Sequence, residues 1–186
     1  TFITMTSELR VDKIIPINGV PTGGGGGIIQ TVMGSTTTQV QTTAKTFSDS
    51  TLTATITPKF SSSKILITVA QLLRTHCSDS SLESAGGGIR LLRGSTVIVN
   101  ARDHGAIDGS GTYGSRDFSV NADLGAANLA LVGTKSIIFL DSPNTTSALT
   151  YKTQGRIMNT NMTLQMNPTD TVNNQPSIMI LQEVSA

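Results

Sequence analysis

The sequence has no tryptophan, one cysteine and two histidines, and aromatic residues fill only 4% of its 186 positions. Each scarcity removes a class of function. A single cysteine, Cys77, excludes an intrachain disulfide and any multi-cysteine zinc site. Two histidines leave little material for a metal centre or a catalytic relay. With so few aromatics there is no broad stacking platform for bases and no large aromatic lining for a sugar site. Charge is scarce as well. Charged residues make up 13% of the chain, about half the usual share of a soluble domain. Thirteen Lys+Arg against twelve Asp+Glu leave a net charge of +1. Nucleic acid and anionic membranes both demand a clustered positive excess, so neither is an expected partner. No run approaches the ~18 apolar residues of a membrane span, and no membrane insertion is expected. The opening TFITMTSELR lacks the basic segment and apolar core of a signal peptide.

Ser and Thr fill the space instead, at about a quarter of the chain, with abundant Gly, Asn and Gln. Such a bias fits either disorder or β-structure. Disordered chains carry high net charge and few β-branched residues; this one has low charge and many Thr, Ile and Val, which favours strands. Its length suits one folded domain with a short appendage.

Residues 1–30 differ from the rest. They hold Pro16, Pro21, Gly19 and the run Gly23, Gly24, Gly25, Gly26 and Gly27. Proline removes a backbone donor and extends its predecessor; glycine is costly to order. This segment reads as an extended arm ending in a glycine hinge. Leu9, Val11, Ile14, Ile15 and Ile17 give the arm apolar surface that seeks a partner.

From about residue 28 onward the period is two. In residues 157–167, Met158, Thr160, Met162, Leu164 and Met166 share one face, and Asn159, Asn161, Thr163, Gln165 and Asn167 the other, the mark of a half-buried strand. Lys64 to Leu73 and Ser136 to Leu140 are apolar on both faces, as in central strands. Gly94-Ser95 between two apolar runs signals a hairpin with a II′ turn. Other candidate strands lie at 39–46, 52–57, 118–121, 147–154 and 177–184. Turn clusters fall at 58–63, 78–88, 103–115, 141–146 and 167–176. Leu124 to Val132 fits a short helix or a strand. The pattern predicts an all-β fold: a jelly-roll-like antiparallel β-sandwich over residues 31–186, carrying the extended N-terminal arm of residues 1–30.

Few residues suggest chemistry. The glycine run lacks the following Lys-Ser/Thr of a phosphate-binding loop, so a linker or hinge is the better reading. His76 and Cys77 are adjacent on a strand and diverge to opposite faces, which suits a structural cysteine. Arg102, Asp103, His104, Asp108 and Tyr113 lie in a glycine-rich stretch. Its acids and histidine are metal-ligand types without an EF-hand pattern. Contact with a partner, or a plain polar tip, fits the loop better. Asn144 and Asn161 match glycosylation triplets, which recur by chance in Ser/Thr-rich chains. The carboxylates Glu83, Asp103, Asp108 and Asp123 are scattered and show no glycosidase-like pair. No catalytic residue, cofactor or metal is predicted.

SELRVDKIIPINGVPTGGGGGIIQ, residues 7–30, resembles the N-terminal arm of structural proteins of tailed bacteriophages, marine cyanophages in particular. ITPKFSSSKILI, GIRLLRGSTVI, FLDSPNTTSALTYK and SIMILQEV resemble, in the same order, a β-rich domain of phage tail-fibre and appendage proteins. The resemblance implies a non-enzymatic virion component, assembled in the bacterial cytoplasm and commonly a homotrimer. It also implies contact with other virion proteins or a host-surface glycan. A capsid decoration or head fibre, or a free-standing carbohydrate-binding module, are the alternatives.

Overall fold

Threonine at alternate positions explains how so polar a chain makes sheets. In the stretch Ser48–Ile56, Ser50, Leu52, Ala54 and Ile56 are buried while Asp49, Thr51, Thr53 and Thr55 face out. A β-branched hydroxyl residue keeps strand-favouring stiffness on the wet face. The computed structural model describes residues 27–77, 84–100, 118–121, 129–157, 162–169 and 175–185. The strands are β1 (Ile28–Thr36), β2 (Val40–Thr42), β3 (Ser48–Ile56), β4 (Lys64–Cys77), β5 (Ser84–Arg93), β6 (Thr96–Val99), β7 (Phe118–Asn121), β8 (Leu129–Asp141), β9 (Leu149–Ile157), β10 (Met162–Met166) and β11 (Ser177–Val184). No helix occurs among the described residues.

Two antiparallel sheets pack face to face. One runs β8-β4-β11-β1, with β10 and β2 continuing beside the far end of β4; the other holds β3-β9-β5, with β6 and β7 both pairing β5. The pairings nest: β1 with β11, β3 with β9, β4 with β8, β5 with β7. Successive nested pairs alternate between the sheets, as when one long hairpin is rolled up. That is the jelly-roll order, and the expected β-sandwich is the observed fold.

Between the sheets lie Leu52, Ile56, Ile65, Ile67, Val69, Leu73, Ile89, Leu91, Tyr151, Leu164, Met179 and Leu181, all essentially buried. Each such side chain contributes roughly 1.5–3 kcal/mol relative to exposure. At two glycines close approach decides the residue. A Cβ on Gly34 of β1 would stand 2.0 Å from the Thr53 carbonyl oxygen of β3, so backbone meets backbone between the sheets there. Gly94 opens the β5–β6 turn with φ +58, whereas Ser95 is not at positive φ. Positive φ at the first central residue alone separates the predicted II′ turn from I′.

Two carboxylates bind this frame. Asp141 on β8, buried, accepts hydrogen bonds from Arg93 Nη1 of β5 at 2.8 and 2.9 Å and from the Tyr151 hydroxyl of β9 at 2.7 Å, tying the sheets together. Burial first, then the Asp141 contact, push the Tyr151 hydroxyl well above its usual value. Glu183 on β11, also buried, accepts from Gln30 Nε2 at 2.6 Å and from the backbone amides of Lys59 and Phe60 at 2.8 and 3.2 Å. Burial would raise its pKa, but the hydrogen bonds from Gln30 and the two amides outweigh that and hold it below the usual value. The Ser63 hydroxyl faces the same carboxylate with geometry too poor for a hydrogen bond.

Several expectations change. Residues 28–30, read with the arm, belong to β1. Residues 84–88, read as a turn, are the first half of β5, because glycine is what the close packing there admits: a Cβ on Gly87 would be 3.1 Å from Leu164 Cδ1 and from the Arg156 carbonyl oxygen. Ser136 to Leu140, read as central, belongs to β8, which among the described residues pairs only β4 and stands at the edge of its sheet. Residues 157–167 are not one described strand: β9 ends at Ile157 and β10 begins at Met162.

Candidate functional site

Most sequence-predicted site residues lie outside the described residues: Leu9, Val11, Ile14, Ile15 and Ile17 of the arm, Gly23 to Gly26 of the hinge, and Arg102, Asp103, His104, Asp108 and Tyr113 of the polar stretch. Gly27 is described. It is exposed, and its carbonyl accepts the Ser185 amide at 3.1 Å, so Gly27 sits beside the end of β11. The stretch 101–117 joins Asn100 to Phe118, and the strands on its two sides, β6 and β7, both pair β5.

The described residues present one polar surface of defined geometry, the outer face of the β3-β9-β5 sheet. Strand alternation on β9 turns Thr150, Lys152, Gln154 and Arg156 outward, opposite buried Tyr151, Thr153 and Ile157. Register places Gln154 between Asp49 of β3 and Arg90 of β5. The three form a ladder across the sheet. Arg90 Nε donates to Gln154 Oε1 at 2.7 Å, and Gln154 Nε2 donates to Asp49 Oδ1 at 2.6 Å. Lys152 Nζ reaches the other Asp49 oxygen at 2.9 Å. The hydrogen bonds from Gln154 and then Lys152 hold the Asp49 carboxyl below its usual value.

Phe47, just ahead of β3, supports this ladder. Its ring lies under the Arg90 guanidinium at 4.0 Å and the Arg156 guanidinium at 4.8 Å, a spacing at which the ring's π-face attracts cations. Burial, then the second arginine, lower the Arg90 pKa from its ordinary value.

Beside the ladder, β3 carries two more residues than β9 between Asp49↔Gln154 and Thr53↔Lys152. Two extra residues bend the strand yet keep the side-chain alternation in phase. Ser50 and Thr153 close the gap beneath through a hydroxyl–hydroxyl contact. A shallow depression of about 210 Å³ results, lined by Asp49, Thr51, Thr53 and Lys152 among others. That is below the ~300 Å³ at which pockets enclose small molecules. The surface suits lateral contact through hydrogen bonds. Its acid, Asp49, is already engaged by Gln154 and Lys152.

Among the described residues no group of three or more His, Cys, Asp and Glu is placed to hold a metal, and no helix is long and apolar enough to cross a membrane. Sequence reasoning missed the ladder because its members come from three distant strands. The available signal was the alternation Thr150, Lys152, Gln154, Arg156, four polar residues of which three are long. No protein-family model matches the chain, and no curated protein matches it significantly.

Proposed function

We propose that this chain is a non-enzymatic structural module of a tailed-phage virion, of the tail-fibre or appendage type. In this reading it is a homotrimer, docked by its N-terminal arm, with the jelly roll meeting a host-surface glycan or another virion protein. The observation that carries the reading is the resemblance of residues 7–30 and of four later segments to such proteins, in order along the chain. All four of those segments run through strands that make the roll: β4, β5 with β6, β8 with β9, and β11. The fold supports it with rigid sheets and a polar outer ladder, Asp49-Gln154-Arg90, suited to adaptable hydrogen bonding. Gly27, the first described residue after the arm, is exposed and lies beside the end of β11, its carbonyl accepting the Ser185 amide. Burying four or five of the arm's apolar side chains offers roughly 1.5–3 kcal/mol each, against about 1–2 kcal/mol per backbone residue ordered. The arm therefore orders only on a surface that adds hydrogen bonds, as in strand addition to a neighbour.

The test is a deletion of residues 1–22 in the phage that encodes the chain, with cryo-microscopy of the particles. The expected outcome is a folded trimeric domain that no longer incorporates. Normal incorporation sinks the docking role of the arm, and absence of the full-length chain from purified particles sinks the reading as a whole.

A further inference from the structure

The outer face of the β8-β4-β11-β1 sheet is the opposite of the polar ladder. Register lines up Met33, Ile180, Thr68 and Ile138 in one row across the four strands, with the row of Thr31, Gln182, Leu66 and Leu140 on one side. Ser35, Ile178, Ala70 and Ser136 form the row on the other side. None of these carries a charge. A bulge at Ile29 shifts the register so that Ile28 also falls on this face, opposite Val184. Of the seven large apolar side chains most exposed among the described residues, five lie here: Ile28, Met33, Val132, Ile138 and Leu140. Ile138 is 73% exposed and Met33 63%. β8, 13 residues long, paired to β4 without a register shift and free of proline, has no second strand partner among the described residues. Natural edges left bare in this way are templates for association.

We propose that this face is the subunit interface, covered by further copies of the same chain turned towards a common threefold axis. The inference rests on the trimeric reading above and assigns its surface. Four strands at ~4.8 Å spacing and seven residues at ~3.4 Å rise give roughly 450 Å² in plan. The relief of the side chains brings the accessible area towards the ~800 Å² per partner of a standard interface. The absence of charge selects the occupant. Near a symmetry axis each residue meets copies of itself, so any charge there would face its like. The polar side chains on this face, Thr31, Gln182, Thr68, Ser35 and Ser136, are uncharged and interleaved with exposed apolar ones, whereas the charged and amide ladder a glycan would favour lies on the opposite sheet. Arg74 and Lys64, exposed on β4 at the two ends of the patch, sit where a rim would place them.

The experiment is light scattering on the full chain at micromolar concentration, beside Ile138→Lys, Met33→Glu and a control, Val97→Lys, which lies on β6 of the other sheet. The expected masses are about three chains for the unaltered protein and the control, and one chain for both face variants with unchanged β-sheet circular dichroism. Folded variants that remain trimeric overturn the face assignment and leave the trimer standing; an unaltered chain that is monomeric overturns both. Peroxide oxidation of the unaltered trimer is read by mass spectrometry as a second measure, independent of how the variants fold. Met33 is expected to react about tenfold slower than free methionine, since oxidation follows exposure. Oxidation of Met33 at the free rate in the trimer overturns the proposal.

Discussion

Replacing Glu183 tests whether one buried carboxylate holds the 57–63 turn to the closing strand. In Glu183→Ala three donors lose their acceptor: Gln30 Nε2 and the amides of Lys59 and Phe60. Hydrogen bonds to a charged acceptor contribute about 1.5–3 kcal/mol each, but Lys59 and Phe60 are exposed and their amides recover water. The net loss is therefore about 2–4 kcal/mol rather than the full sum. Glu183→Gln keeps the shape and costs less, about 1–2 kcal/mol. Its amide can serve the two backbone donors or accept from Gln30, not both, because Gln30 Nε2 also donates to the Thr57 carbonyl at 2.7 Å. The pH dependence gives a second handle. The folded pKa of Glu183 lies below its unfolded value of 4.5. Its stabilisation is therefore fully present above that value and is lost as pH falls through the folded one. Urea unfolding at one fixed protein concentration should show both variants weaker than the unaltered chain at neutral pH. The gap for Glu183→Gln should narrow on acidification. Equal midpoints at neutral pH, or a gap that widens in acid, would refute the reasoning.

Gly34→Ala should be far more damaging than Gly155→Ala. The first drives a Cβ onto the fixed Thr53 carbonyl, the second onto Met166 Sδ and Leu164 Cδ2, the mobile ends of side chains; thermal melts that rank them the other way would contradict the packing account. Tyr151→Phe leaves an Asp141 oxygen short of one donor inside the sandwich and should cost about 1–3 kcal/mol by denaturant unfolding. Lys152→Ala breaks the ion pair with exposed Asp49 and should change stability by less than about 1 kcal/mol, so a larger loss would mean that the ladder is a rigid unit.

Alternation made most of the strands legible. Ser177 to Val184 was readable with its observed bounds, since Ser177, Met179, Leu181 and Glu183 fall inward at every second position. The lone acid on that inward face was itself a signal of a buried, fully engaged carboxylate. The Gly94-Ser95 turn was readable because its backbone demands glycine. Two failures share another cause. Ser136 to Leu140 looks central because apolar residues on both faces announce burial without saying whether the cover is the same chain. Ser84 to Gly88 looks like a loop because glycine signals freedom in isolation, whereas Gly87 is required by Leu164 and the Arg156 carbonyl, more than sixty residues away along the chain. The Asp49-Gln154-Arg90 ladder exists only through register, which no single segment encodes.

The place of β11 between β1 and β4 governs the order of assembly. The inner pairs β5–β7 and β4–β8 close the shorter loops and can zip while later segments are still being synthesised. β1 has no neighbour in its sheet until β11 arrives, because that strand supplies the only ladder joining it to β4 among the described residues. Until then the apolar edge of β4 and the whole of β1 stay available to wrong partners. A topology so dominated by distant pairings folds in milliseconds to seconds rather than microseconds. During that interval the chain carries its greatest risk of misassembly, and the docking of the eight-residue strand β11 is the latch that ends it.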